Sequence, residues 1–375
     1  MKTPVDIVLL GDFKAHGGCE RRLANMAVCW VSLGLRVEVV TFRDGCQFYP
    51  DEMLGRVSHV HLGTRHKWAS IAALWRYLRV RQPRVILSAA HIANLVSIGT
   101  CRLPGVRTRC FLSVGNAYGT SDKNAPGQRA RKFAQIREHY PKAQGIIAVS
   151  QGVKEDLQDR VGLDNVGIRV IYNGTLTPQL LRDAESPVNH PWLKHKTVPV
   201  VMSAGRLARQ KDFPSLIRAF RGVRDQQAAR LVILGEGGQR GELEALIGSL
   251  GLTEDVALPG HVDNPLSWVA RSDAFVLSSL WEGIPNALIE ALALGVPLVA
   301  TDCPGGSAEV LGNGRHGVLV EPGSIEGLKH AMLRALGGKT PGYDPVEAGA
   351  PFRAEHAARQ YLDAFGISAE RGHAS

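Results

Sequence analysis

The feature that most constrains this chain is an alternation of short Val/Ile/Leu-rich runs with helical runs. It occurs twice, with one proline-rich interruption. In the first set the apolar runs fall at 5–11, 36–42, 57–63, 85–89, 108–114, 145–150 and 168–172. Helical stretches lie between them near 19–33, 68–81, 91–100, 128–139 and 150–160. Residues 181–198 (LRDAESPVNHPWLKHKTV) carry Pro187, Asn189 and Pro191 and read as a linker. The alternation restarts with runs at 199–204, 230–235, 256–259, 274–278, 297–301 and 317–320, and helices at 212–225, 239–249, 286–294 and 324–336. Strands this short and apolar, joined by helices, predict parallel sheets covered on both faces. Two sets predict an α/β chain of two Rossmann-like, doubly wound domains, 1–185 and 186–350. A last helix near 352–366 is expected to pack back on the first domain. The length of 375 residues suits two domains at about 150 residues each. Ligands of such folds bind at the carboxyl ends of the strands, which puts the expected site in a cleft between the domains.

Charge narrows the partners. The net charge of +9 favours acidic ones: nucleotide phosphates, anionic headgroups or nucleic acid. The aromatic and basic spacing of a nucleic-acid platform is not evident, so no nucleic acid is expected. The six cysteines (19, 29, 46, 101, 110 and 303) form no CxxC pair, and neither a zinc site nor a disulfide framework is expected. The start, MKTPVDIVLLGDFKAHGG, does not read as a signal peptide. No stretch approaches about 18 consecutive apolar residues, so no membrane span is expected.

Three loops at strand ends carry polar chemistry. GDFKAHGGCE (11–20) places Gly17 and Gly18 between a strand and a helix, where backbone N–H groups face an anion or simply make a tight turn. It is not GxGxxG, and no acid sits at the end of the second strand, which disfavours an NAD-dependent dehydrogenase. SAGRLARQKDF (203–213) sets Arg206 and Lys211 around a helix start, two cations that suit a diphosphate. LWEGIPNALIEALALGVP (280–297) holds Glu282 and Glu290 with seven residues between them. Pro285 suits a first helical turn. Helical rotation puts Leu288, Ala291, Leu292 and Gly295 on the core stripe, and Glu290 between stripe and solvent.

EGIPNALIEALALGVPLVATDCPGGSAEVL, with SAGRLARQKDF upstream and GVLVEPG downstream, resembles the nucleotide-sugar domain of glycosyltransferase family 4, the retaining group 1 type with the GT-B fold. HGGCERRLANMA, IAVSQGVKEDL and IYNG extend the similarity more loosely over most of the chain. The resemblance implies a metal-independent, retaining transferase that uses a nucleoside-diphosphate sugar and no further cofactor. It implies that Glu290 holds the ribose hydroxyls and Glu282 lies against the donor sugar. Arg206 and Lys211 would neutralise the departing diphosphate. Backbone N–H groups of Gly283, Ile284, Pro285 and Asn286 (proline itself lacking one), and of the Gly17–Gly18 loop, belong to the same expected pocket. Base selection is expected near Gly260 and His261. Relatives place a histidine near the sugar; His91, His16 and Asn116 are the candidates here, with His91 taken as the catalytic one.

The expected reaction moves a hexose or N-acetylhexosamine, with a UDP-sugar favoured as donor. The acceptor is a glycan or a lipid-linked molecule in cell-surface polysaccharide or glycolipid synthesis. The alternatives are a GT-B-shaped nucleotide-sugar-binding protein without turnover and the disfavoured dehydrogenase. The basic, aromatic stretches 64–84 and 123–142 fit an anionic membrane surface or an ordinary solvated helix face. The expected location is cytoplasmic, with peripheral attachment to the inner face of the plasma membrane left open.

Overall fold

The computed structural model describes residues 5–11, 18–43, 55–64, 66–119, 126–164 and 166–368. The chain divides into two units, Met1–Thr175 with Phe352–Ser375, and Leu176–Pro351.

The first unit holds β1 (Ile7–Leu10), β2 (Val37–Thr41), β3 (Ser58–His61), β4 (Val85–Ala89), β5 (Arg109–Val114), β6 (Gly145–Ala148) and β7 (Ile168–Val170). Their order is β3-β2-β1-β4-β5-β6-β7, and every pairing is parallel. β1, β2 and β4 are buried along their whole length, as a sheet covered on both faces requires. The edge strand β3, SHVH, is partly exposed along its whole length, and the other edge strand, β7, is exposed at Arg169.

The second unit holds β8 (Val200–Ala204), β9 (Arg230–Leu234), β10 (Val256–Gly260), β11 (Ala274–Leu277), β12 (Leu298–Thr301) and β13 (Val318–Val320). The order β10-β9-β8-β11-β12-β13 is again parallel throughout. The strand order reverses between β8 and β11, and in sheets of this kind ligands bind beyond the carboxyl ends of such a reversal. Phe213, Phe220, Ile233, Leu243, Val276 and Met332 fill the core below it.

The helix Ala354–Phe365 belongs to the first unit. Its Tyr361 and Phe365 rings each lie 5.9 Å from Trp30, and Phe365 lies 4.8 Å from Phe111. The fully buried Arg22 guanidinium donates to Tyr361 Oη at 2.8 Å and to Ser113 Oγ at 2.9 Å. Gly366, in the left-handed conformation, ends the helix.

Segment 181–198, read from its prolines as a linker, instead packs into the second unit. Pro178 and Pro191 each open a short helix, Pro178–Asp183 and Pro191–Lys194, because proline is tolerated where a helical N–H has no partner. Asn264 Nδ2 donates to Asp183 O at 2.6 Å, and the Arg230 guanidinium stacks over Trp192 at 4.8 Å. The division therefore falls at Thr175–Leu176.

Candidate active site

The two loops that leave β8 and β11 carry the polar cluster of the second unit. After β8 the chain turns at Gly205, where a Cβ would lie 2.8 Å from Lys211 Cε. Gly205 N donates to Leu234 O and Leu207 N to Glu236 O, both at 2.9 Å, which ties this loop to the end of β9. The short turn Arg209–Lys211 follows, and Asp212, left-handed at φ 46°, starts the helix Phe213–Arg224. Burial raises the Asp212 carboxyl above its ordinary range, and hydrogen bonds from Ser215 oppose this.

The loop after β11 is stitched to that turn. Leu280 N donates to Gln210 O at 2.8 Å, and Ser278 Oγ donates to Lys211 O at 2.7 Å. These bonds bring Lys211 onto Glu282. Lys211 Nζ lies 2.6 Å from Glu282 Oε1, which also accepts from Ser279 Oγ at 2.7 Å. Gln210 Nε2 donates to Trp281 O at 2.9 Å and reaches Glu282 Oε2 at 3.4 Å. Glu282 is 6% exposed, so its charge is compensated by a fixed ammonium and a fixed hydroxyl rather than by water.

A third loop, after β12, closes over the same glutamate. Glu282 N donates to Pro304 O and Gly306 N to Gly283 O, each at 2.9 Å. Gly305 has φ 124°, and a Cβ there would lie 2.3 Å from Glu282 O, so only glycine permits this approach. Burial pushes the neighbouring Cys303 thiol up to about 11, which keeps it protonated at neutral pH.

The expected residues are distributed as follows. Lys211 and Glu282 meet directly. Arg206 is exposed and makes no hydrogen bond or ion pair among the described residues. The helix begins at Asn286 with Pro285 as its cap, one residue later than a first-turn proline requires. Glu290 lies in that helix at 7% exposure, among buried neighbours rather than at the margin of solvent. Gly283, Ile284 and Pro285 are buried beside Glu282 in sequence. Gly260, at φ 92°, ends β10 where a Cβ would lie 2.8 Å from Glu236 Oε1, and His261 beyond it is exposed.

His91 lies in the first unit, at the start of the helix His91–Cys101 beyond β4. Both its ring nitrogens are engaged: Nδ1 with Tyr140 Oη at 3.2 Å and Nε2 with Gln135 Oε1 at 3.1 Å. Burial, first of all, holds its pKa below the ordinary 6.5, and nearby Lys132 and Lys67 act in the same direction. Asn116 is exposed and forms no hydrogen bond among the described residues. Gly17 and His16 lie outside the described residues, and Gly18 is the first residue of the helix Gly18–Ser32.

Two residues of the cluster, and one that orders a loop of the first unit, were not expected from sequence. Ser279 and Gln210 hold Glu282, yet a serine at a strand end and a glutamine beside a lysine carry no pattern of their own. Asp156 accepts from Tyr118 N at 2.6 Å and Gly119 N at 3.0 Å, and so pins the loop that follows β5.

Two family models match the chain, "Glycosyltransferase Family 4" over residues 16–177 and "Glycosyl transferases group 1" over 189–344. A Campylobacter jejuni protein described as N-acetylgalactosamine-N,N'-diacetylbacillosaminyl-diphospho-undecaprenol 4-alpha-N-acetylgalactosaminyltransferase is 37% identical over 182 residues, 48% of each chain. The Rhizobium meliloti lipopolysaccharide core biosynthesis glycosyltransferase LpsE is 33% identical over 187 residues, 50% of this chain and 52% of its own. The match thus spans about half the length of these relatives. Among solved structures, a Rickettsia africae glycosyltransferase superposes with a TM-score of 0.78 at 16% identity over 100% of both chains. Anabaena HepE, solved with UDP, superposes with a TM-score of 0.72 at 20% identity over 97% of both. At these identities the likeness concerns the fold, which is the two-sheet GT-B architecture. The chain belongs to the group 1 glycosyltransferases of family 4.

Proposed function

We propose that this protein is a retaining, metal-independent glycosyltransferase that moves a hexose or N-acetylhexosamine from a UDP-sugar to a glycan or lipid-linked acceptor. The observation that carries the reading is the Lys211–Glu282–Ser279 cluster beyond β8 and β11, with Arg206 exposed on the same loop as Lys211. The named chemistry of the relatives supports it: one acts on a diphospho-undecaprenol-linked sugar, and HepE binds UDP.

In this reading the diphosphate meets Arg206 and Lys211, and the donor sugar's hydroxyls meet Glu282. Glu290 takes the ribose, and the backbone of 283–286 lies along the donor. The bond from the anomeric carbon to the phosphate oxygen breaks as the acceptor oxygen attacks from the same face. The acceptor's proton passes to the departing phosphate. Negative charge builds on the diphosphate and positive charge on the sugar, so fixed cations aimed at the leaving oxygen lower the barrier. Each such donor is worth about 10²–10³ in rate.

The first unit is the proposed acceptor side. Its helix Lys67–Arg81 contains no acid and exposes Trp68 (78%) and Val80 (66%) together with Lys67, Arg76 and Arg79. Exposed apolar residues among exposed cations suit an anionic bilayer surface. Sedimentation with phosphatidylglycerol vesicles is expected to pull the protein down at low salt, and Trp68→Ser to weaken this. Equal binding to neutral vesicles would count against an anionic surface. Among the described residues, no helix is long and apolar enough to cross a membrane.

The experiment is a panel of UDP-, GDP- and ADP-sugars read by thermal shift and by release of the nucleoside diphosphate, with and without EDTA. A UDP-sugar is expected to stabilise the protein by about 2.7 kcal/mol at a hundred times its Kd, and to be turned over in EDTA. Binding without turnover would favour the non-catalytic reading. Loss of turnover in EDTA would end the metal-independent one.

A further inference from the structure

We propose that Ser279 and Gln210 are positioning residues which hold Glu282 so that Oε1 is spent as an anchor and Oε2 faces the donor sugar. The inference rests on the functional reading above.

A carboxylate offers two oxygens and about four lone-pair sites. In Glu282 they are used unequally. Oε1 takes both short bonds, from Lys211 Nζ at 2.6 Å and Ser279 Oγ at 2.7 Å. Oε2 has only Gln210 Nε2, at 3.4 Å, among the described residues. That distance is beyond the usual range of an N–H···O bond, so Oε2 keeps its capacity to accept from a sugar hydroxyl.

The two anchors on Oε1 differ in kind. Lys211 has a long side chain, and its ammonium is also claimed by the donor diphosphate. Ser279 is short and fully buried, and its hydroxyl makes this one bond among the described residues. Thr301 Oγ1 donates to Ser279 O at 2.5 Å, which fixes the backbone that carries the hydroxyl. When Lys211 turns towards phosphate, Ser279 still fixes the carboxylate. Gln210 works on the main chain: its carbonyl accepts from Leu280 N at 2.8 Å and its amide donates to Trp281 O at 2.9 Å. One residue therefore clamps the segment leading into Glu282 from two points.

The test uses whichever donor of the panel above the full-length wild type turns over, with UDP as the probe of nucleotide affinity. Ser279→Ala is expected to lower kcat by about tenfold to a hundredfold, the range for a hydrogen bond to a charged group. The Kd for UDP should stay within about twofold, as for a residue that acts only on the sugar side. Added to Glu282→Ala, it should cause no further loss of the residual rate, since residues acting through one group are not additive. Gln210→Ala should show the same split, and it carries the test if Ser279→Ala does not fold. An unchanged kcat would overturn the proposal. So would a kcat loss matched by an equal loss of UDP affinity and repeated in full in the Glu282→Ala background. A wild type that turns over none of the donors defeats the functional reading itself, whereas an active wild type with an unaffected Ser279→Ala defeats this inference alone.

Discussion

Lys211 and Arg206 carry the same charge five positions apart, yet they sit in opposite environments, and this separates their expected phenotypes. Lys211 compensates a carboxylate that is 6% exposed. Removing one partner of a buried pair leaves the other uncompensated and costs about 3–5 kcal/mol. Lys211→Met is therefore expected to lower the melting temperature as well as the rate. Arg206 is exposed and unpaired among the described residues, so Arg206→Ala should leave stability unchanged. It should weaken nucleoside-diphosphate binding by about tenfold or more, an effect that shrinks as salt is added. Calorimetry and titration with UDP distinguish the two; equal melting temperatures for both variants would contradict the burial argument. Sequence made both cations and Glu282 visible because charged residues after apolar strands stand out. It did not reveal Ser279, whose hydroxyl in SSLW reads as an ordinary strand end. It misplaced Glu290, since a helical wheel reports direction but not what covers the far side.

At the scale of elements, three loops converge because the strand order reverses between β8 and β11 and the loop after β12 folds over both. Two glycines make the close approaches possible. At Gly305 a Cβ would meet Glu282 O at 2.3 Å, and at Gly235, φ 130°, it would meet Gly205 O at 2.0 Å. Either Gly→Ala change forces backbone apart and is expected to cost about 1–3 kcal/mol or more. Gly305→Ala should also reduce turnover, by shifting Glu282, more than Gly235→Ala does. Denaturant melts paired with rates check this, and a Gly305→Ala variant with native stability would contradict it. The strands were legible because runs of Val, Ile and Leu bounded by loops leave few other solutions. The helices at Pro178–Asp183 and Pro191–Lys194 were not, because proline both breaks a helix and begins one, and only the packing partner decides.

For the whole molecule, both units are expected to lose stability in acid for the same reason. His59 and His91 in the first unit, and His190 and His316 in the second, are held below the ordinary 6.5, chiefly by burial. As pH falls below about 6.5 the unfolded chain takes up protons that the folded chain refuses, so stability falls through the folded values. Burial raises the Asp156 and Asp212 carboxyls, and these act in the opposite sense in their own, lower range. The melting temperature should therefore drop between about pH 7.5 and about pH 5.5, and His91→Gln should reduce that drop. A flat profile would contradict the burial of these rings. The two-sheet plan itself was readable from the doubled alternation. Side-chain burial was not, because it depends on neighbours far away in sequence. The central claim is that Glu282 and its cation serve transfer from a nucleotide sugar. The most direct test is the rate of nucleoside-diphosphate release and sugar transfer from UDP-sugars by wild type and by Glu282→Gln, both shown to be folded. Turnover by the wild type and a loss of about 10²–10³ in the variant are expected. Equal rates in the two folded proteins would contradict the claim.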